Sequence, residues 1–390
     1  MKILLLTHVY PPAVDGGSRV IAKIGDYLRS HGNQILVLTT NCRSTDDFVN
    51  PSSSTIIHHQ SNILALSVYK NSRRLIKFFN LFLRSELLSI LQKGPVFKIL
   101  PYLKALITVQ KFHPDLIIAG PLPTTIVLYS RFIKFLTRSK LLINASFHPI
   151  DPDFSRHPLL NTLKKADFIW TLTDFETNYF HEHFVIPFSK MIPAGNGVDK
   201  SLLSHHTTYN TNNLLFIGSF AKHKNVEILI DSFSHLPPNS TLTLAGQKTL
   251  YFPIIEAKIR SLPPNIKSRI NVVTNFPDRQ LKKLIDACTI LISPSFQESF
   301  GLVLLEAWAR KKPVIAADIP ASSELIVKSG GGLMFKTGDS RQLTHQINLL
   351  LADRHLQRQL GQQGFKYVQS SATWDKIGQA LWSKISSSSS

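Results

Sequence analysis

The feature that most constrains the fold is a repeated rhythm of short apolar runs separated by segments of helix length. Lys2 to Thr7, Gln34 to Thr40, Asp115 to Ala119, Leu141 to Ala145 and Phe168 to Leu172 form one set. Leu214 to Ile217, Thr241 to Ala245, Ile270 to Val273, Thr289 to Ile292 and Val314 to Ala317 form a second set with the same spacing. Runs that are apolar throughout need burial on both faces, which a parallel sheet wrapped by helices provides. The chain is therefore expected to be α/β, with two doubly wound, Rossmann-like domains. Its 390 residues exceed the ~250 to 300 that one core usually holds. The linker is expected in Met191-Ile192-Pro193-Ala194-Gly195-Asn196-Gly197-Val198-Asp199 and the polar stretch Ser201 to Asn213 after it. This gives domains at residues 1–195 and 196–372. A last helix, from about Thr373 to Ile385, is expected to pack back on the first domain, and the serine tail Ser386 to Ser390 to be disordered. Sheets of this kind bind ligands beyond the carboxyl ends of their strands, so two facing domains would hold a ligand in a central cleft.

Within the second set, Pro294-Ser295-Phe296-Gln297-Glu298-Ser299-Phe300-Gly301-Leu302-Val303-Leu304-Leu305-Glu306-Ala307-Trp308-Ala309 joins a strand end to a helix expected to start near Ser299. The unpaired N–H groups and positive dipole end of such a helix suit a diphosphate. Glu298 stands at that edge, and Glu306 about two turns further in, ~12 Å away at ~1.5 Å per residue. Paired glycosidase carboxylates stand roughly 5 to 9.5 Å apart, so a hydrolytic dyad is disfavoured. Two carboxylates touching two polyol parts of one ligand fit better. Glu306 also sits amid Leu304, Leu305, Ala307 and Trp308, where a charge needs a partner.

Other loops fall at strand ends too. Gly16 and Gly17 open the helix after the first run, and paired glycines let backbone N–H groups approach an anion. No Gly-x-Gly-x-x-Gly or phosphate-loop lysine pattern is present, which argues against hydride transfer and against a phosphate-loop ATPase. Gly218-Ser219-Phe220-Ala221-Lys222-His223-Lys224-Asn225 leads from a strand into the helix Val226 to Phe233, where a lysine can neutralise a departing diphosphate. His148 ends another strand. A lone histidine is most often structural, but this position suits ligand contact.

With 43% hydrophobic and 18% charged residues the chain is not of disordered type, and its net charge of +19 points to an anionic partner. Basic residues are densest over residues 70–111, where lysines and arginines alternate with Leu, Ile and Phe. That pattern fits an amphipathic helix lying on an anionic membrane, and it fits equally a helix that buries its apolar stripe in its own domain. No apolar run reaches the ~18 residues needed to span a bilayer, and Met1 to Leu6 lacks the length and cleavage site of a signal peptide. Cys42 and Cys288 are too few for a disulfide framework or metal cluster. A cytoplasmic protein is expected, docking peripherally at the inner face of the plasma membrane if the first helix reading holds.

Taken together, the two glutamates with Ser299-Phe300-Gly301-Leu302, the preceding Pro294-Ser295, the Gly218 to Lys224 loop, Ile192 to Asp199, Pro313-Val314-Ile315-Ala316-Ala317 and the double-glycine loop resemble glycosyltransferase family 4. The resemblance is dense over residues 192–340 and looser before them. It implies a GT-B architecture and retaining transfer of a sugar from a UDP- or GDP-linked donor to a saccharide or lipid-linked acceptor hydroxyl. No cofactor is permanently bound, and the protein holds no metal. In that scheme Glu306 binds the ribose hydroxyls, Glu298 the donor sugar, and the backbone of Phe300 to Leu302, beside Ser299, the sugar and diphosphate. Lys224, with Gly218 and Ser219 in its loop, serves the diphosphate, while Gly16, Gly17 and His148 act from the first domain. The departing phosphate oxygen takes the acceptor's proton. Ser219 stands where that family commonly has arginine, Asn275 marks a lost glycine, and Lys312 replaces another before Pro313.

Other classes remain in view. Asp151-Pro152-Asp153 has the letters of a metal-binding pair in a different transferase architecture, though proline separates the carboxylates. A nucleotide-sugar epimerase of the same architecture would bind the same donor, and a non-catalytic sugar-nucleotide-binding protein would keep the fold alone. Nucleic-acid binding lacks any recognisable reading module.

Overall fold

The apolar runs are strands buried on both faces, as their lack of alternation requires: Leu4, Leu5, Leu6, Ile117, Ile118, Leu142 and Ile143 are each no more than 1% exposed. The computed structural model describes residues 1–12, 16–43, 47, 56, 58, 60–68, 96–148, 157–203 and 212–387. The chain divides into two compact units, Met1–Gly195 with Ile377–Ser390, and Asn196–Lys376.

Unit 1 contains β1 (Lys2–Thr7), α1 (Gly16–Ser30), β2 (Gln34–Thr40), β3 (Ile63–Leu66), α2 (Ile99–Phe112), β4 (Leu116–Gly120), α3 (Thr125–Thr137), β5 (Lys140–Asn144), α4 (His157–Lys165), β6 (Phe168–Thr171), α5 (Asp174–Phe184) and β7 (Met191–Pro193). Its parallel sheet has the order β3-β2-β1-β4-β5-β6-β7. Unit 2 contains β8 (Asn213–Ile217), α6 (Val226–Phe233), β9 (Thr241–Gly246), α7 (Phe252–Arg260), α8 (Pro264–Lys267), β10 (Ile270–Thr274), α9 (Asp278–Ala287), β11 (Ile290–Ser293), α10 (Leu302–Ala309), β12 (Val314–Ala317), α11 (Pro320–Ser329), β13 (Gly332–Phe335), α12 (Ser340–Ala352) and α13 (Arg354–Ser371). Its sheet, again parallel, runs β10-β9-β8-β11-β12-β13. The last helix, α14 (Trp374–Ser387), returns the chain to unit 1, where Gly378 lies against the Tyr27 ring.

Both sheets run from the middle strand outward on one side and then restart on the other. That reversal, between β1 and β4 and again between β8 and β11, opens a crevice at the carboxyl ends of the strands.

The fold departs from the sequence reading in five places. β3, β7 and β13 were not anticipated; all three lie at sheet edges, β3 and β13 bury only their last residue, and β7 has three residues. β7 falls inside the expected linker, because Met191 and Ile192 are buried beside β6. The helix expected from Ser299 begins only at Leu302: Gly301 adopts φ 101°, a left-handed backbone that a helix cannot include. Ser386 and Ser387 belong to α14 rather than to a tail, with Ser386 Oγ donating to the Trp382 carbonyl at 2.8 Å. Residues 70–95 of the basic segment, residues 13–15 of the double-glycine loop, Asp151-Pro152-Asp153 and Ser388 to Ser390 lie outside the described residues.

Candidate functional site

The strand order of unit 2 brings two of the singled-out loops side by side. β8 leads into Gly218, Ser219 and Phe220, then into a short 3-10 turn, Lys222–Lys224, closed by Asn225 at φ 52° before α6 starts. β11, its neighbour, leads into Pro294 to Gly301 and then α10. The loops are tied twice. Phe296 N donates to the His223 carbonyl at 3.0 Å, and the Lys224 ammonium donates to Glu298 Oε1 at 2.5 Å. The Lys224 and Glu298 side chains are 18% and 14% exposed, so the ion pair is largely sheltered from water. Burial pushes the Glu298 carboxyl up, but the Lys224 ammonium outweighs it by charge and hydrogen bond. With smaller help from Ser295 and His223, the carboxyl lies below its ordinary range.

A third loop holds the first in place. Gly246 ends β9 so close to the Gly218 carbonyl that a Cβ would stand 1.6 Å from that oxygen, so no side chain fits. Gly218 N donates to Ala245 O at 3.0 Å and Phe220 N to Gln247 O at 2.9 Å. Asn275, the position marked as a lost glycine, has φ 51°, a conformation asparagine tolerates better than most residues. Its Oδ1 accepts from Lys248 N at 3.0 Å, so the replacement also pins the loop after β9.

α10 starts at Gly301 with no side-chain cap, which leaves first-turn N–H groups to an outside acceptor. Leu304, Leu305, Ala307, Trp308 and Ala309 are all fully buried, and Glu306, only 9% exposed, sits among them in the second turn. Phe300 is buried beneath the loop. Unit 2 therefore gathers Gly218, Ser219, Lys224, Glu298, Ser299, Phe300, Gly301, Leu302 and Glu306 in two adjacent strand-to-helix connections. The pairing of Lys224 with Glu298 was not anticipated from the sequence, which gave them separate partners. Gly246 and Asn275 were also missed as supports of the loop. An Ala-Gly pair closing a strand was the available signal for the first.

Lys312 has a different place. It is fully buried before β12, at the amino end of that strand, with Nζ donating to the Asp286 carbonyl at 3.1 Å. Burial lowers its pKa, against the pull of Cys288 and Asp286. Arg310 holds the Asp286 carboxylate bidentately at 2.6 and 2.8 Å. This cluster stands at the opposite end of the sheet from the loops.

The remaining predicted residues belong to unit 1. Gly16 and Gly17 open α1; nothing lies within 4 Å of a Cβ at Gly16, whereas Gly17 packs on the Pro121 ring. His148, half-buried, follows β5. Among the described residues, no cluster of three or more His, Cys, Asp or Glu side chains could hold a metal ion.

Against known proteins, residues 204–367 match the family described as "Glycosyl transferases group 1". These residues are similar to a glycosyltransferase group 1 domain. An uncharacterized glycosyltransferase of Methanocaldococcus jannaschii is 30% identical over 188 residues, which are 48% of this chain and 51% of that protein. The capsular polysaccharide biosynthesis glycosyltransferase CapM of Staphylococcus aureus is 25% identical over 187 residues, 47% of each. The chain spans about half the length of the curated relatives it matches. HepE of Anabaena, solved in complex with UDP, matches over 99% of this chain and 100% of its own with a TM-score of 0.76 and 18% identity. The fold is thus that of GT-B glycosyltransferase structures, as the sequence resemblance implied.

Proposed function

We propose that the protein transfers a sugar from a UDP- or GDP-linked donor to an acceptor hydroxyl in polysaccharide or glycolipid assembly, with retention at the anomeric carbon and without a protein-held metal. The observation that carries this reading is the Lys224–Glu298 pair beside the uncapped start of α10, at the reversal point of a sheet whose domain matches glycosyltransferases. In the free protein each charge satisfies the other. An arriving diphosphate offers Lys224 a stronger anion and takes up the first-turn N–H groups of α10. Glu298 is then released to accept hydrogen bonds from the donor sugar's hydroxyls, and Glu306 holds the ribose. Positive groups fixed in advance stabilise the charge on the departing diphosphate, whose oxygen takes the acceptor's proton. Gly16, Gly17 and His148 contribute from unit 1. HepE, solved with UDP and with UDP-glucose, and CapM in capsular polysaccharide biosynthesis support the donor and acceptor classes.

The test is a donor panel of UDP-glucose, UDP-galactose, UDP-N-acetylglucosamine and GDP-mannose, measuring free nucleoside diphosphate and attached product separately. Release from at least one donor is expected; an isomerised sugar still attached to its nucleotide would make the protein an epimerase instead.

The acceptor side includes a cytoplasmic membrane surface in this proposal. No helix among the described residues is long and apolar enough to cross a membrane. α2 exposes Ile99, Leu100, Leu103 and Ile107 by 65, 64, 51 and 54%, beside exposed Lys104 and Lys111 and with no acid in the helix. Apolar groups flanked by lysines suit an anionic interface. Sedimentation with phosphatidylglycerol vesicles at low salt and release at high salt are expected, and no binding at low salt would remove this part.

A further inference from the structure

A buried carboxylate in unit 1, Glu176, is bonded in a way that its position in the helix does not require. Thr173 and Glu176 have the spacing of a capping box at the start of α5, in which the glutamate reaches back to the N–H of the cap residue itself. The first half is present: Thr173 Oγ1 accepts from Glu176 N at 3.0 Å. The second half is redirected. Glu176 Oε2 accepts from Leu172 N at 2.6 Å, one residue before the cap, and Oε1 accepts from Phe147 N at 3.1 Å in the loop after β5. The carboxylate is 2% exposed, so these charge-assisted bonds lie away from water.

The loop it grips is the one that carries His148. Around Phe147, the same helix supplies an aromatic nest, with Tyr179, Phe180 and Phe184 ring centroids at 4.7, 5.0 and 6.0 Å. On the other side, Ser146 takes φ 46°, and its Oγ donates to Asn144 Oδ1 at 2.8 Å. Ala145 N donates to Trp170 O at 3.1 Å. The residues from Asn144 to Phe147 are thus held at each step, and the imidazole one residue further on is left half-buried at the edge.

We infer that Glu176 is a positioning residue for transfer: it locks the β5 loop to α5 so that His148 presents its ring to the reacting sugar. This rests on the proposed transferase reading, in which His148 touches the donor. Because one oxygen serves each loop, a group with a single acceptor cannot replace it. In Glu176→Gln the amide NH2 would face one of the two N–H donors, and that loop would be released while the side-chain volume stays the same. Misplacement of a catalytic group by about an ångström costs up to ~100-fold in rate.

The experiment is a double-mutant cycle of Glu176→Gln and His148→Ala on the full chain. It is read by nucleoside diphosphate release from the four-donor panel, together with amide hydrogen exchange over residues 144–148 and the affinity for UDP. Glu176→Gln should speed exchange in that segment and lower kcat by about 10- to 100-fold. UDP affinity should stay as in the parent, since the nucleotide is assigned to unit 2. In the His148→Ala background, Glu176→Gln should add little further loss. Unchanged exchange, parental turnover, or losses that multiply would each overturn the inference. A His148→Ala variant with parental turnover marks a different failure: there the donor-side role of His148 is wrong, and the inference falls with it even if exchange shows the clamp.

Discussion

The two sheets share one strand order over six strands, with β7 added in unit 1, yet their carboxyl edges are equipped differently. In unit 2, the carboxylate at the reversal point meets an ammonium: Glu298 and Lys224 are 2.5 Å apart, beside a helix start with open N–H groups. In unit 1, the buried carboxylate reaches two loops through peptide N–H donors: Glu176 accepts from Phe147 and Leu172. The first arrangement can exchange partners when an anion arrives. The second ties two loops to the start of one helix and serves as a frame. One scaffold thus separates the answer to charge from the fixing of geometry, in accord with α/β folds placing chemistry in loops and leaving the sheet unchanged.

The largest expected effects test that separation directly. Lys224→Ala and Glu306→Ala should each cost ~2 to 4 kcal/mol in transition-state binding, the size of one lost preorganised group. They should also weaken UDP binding in calorimetric titration. His148→Ala should lower turnover and leave UDP affinity unchanged. If all three weaken UDP equally, the two edges do not divide the work.

Much of this layout was legible in the sequence because it depends on local pattern. Ten apolar runs located ten strands, and the α6 helix from Val226 to Phe233 has its expected bounds, since strong periodicity and flanking turn residues act within a few positions. β3, β7 and β13 were not legible, because they are edge strands: β3 and β13 bury only their last residue, and β7 has three residues. The start of α10 was misplaced by three residues because the Gly301 backbone, rather than Ser299, ends the loop. At the site, the residue types of Lys224 and Glu298 could be read but their pairing could not: they lie 74 positions apart and meet only because β8 and β11 are adjacent. Glu176 had a local signal, Thr-x-x-Glu, which predicts a helix start and gives no hint of the grip on Phe147.

A second contrast lies in how tightly each edge constrains its glycines. A Cβ at Gly246 would meet the Gly218 carbonyl at 1.6 Å, whereas one at Gly16 would meet nothing within 4 Å. Gly246→Ala should therefore destabilise by ~1 to 3 kcal/mol, the cost of overpacking against backbone, while Gly16→Ala should stay within ~0.5 kcal/mol. Urea unfolding of both variants makes the measurement. Equal destabilisation would show that the first turn of α1 is as constrained as the loop that carries Lys224.

The smallest effect separates the two carboxylates by pH and salt. Glu298 is held below its ordinary value of 4.5 by Lys224, so the pair stabilises the fold above the unfolded carboxyl pKa. That stability is lost as pH falls through the lower, folded value. In Lys224→Ala burial is opposed only by the smaller help of Ser295 and His223, so the Glu298 pKa moves up and its ionised form is less favoured at neutral pH. The stability gap between parent and Lys224→Ala, on the order of 1 kcal/mol, should thus be widest near neutrality and close in acid below the ordinary carboxyl range. Salt should narrow it modestly, because the two side chains keep some exposure to water. The Glu176 carboxylate, 2% exposed, bonds to peptide N–H groups where salt screens little. The gap between parent and Glu176→Gln should therefore stay constant with salt. A gap at Glu176 that shrinks with salt in step with the Lys224 gap would mean that both edges work through exchangeable charge, and the division between an answering edge and a framing edge would fail.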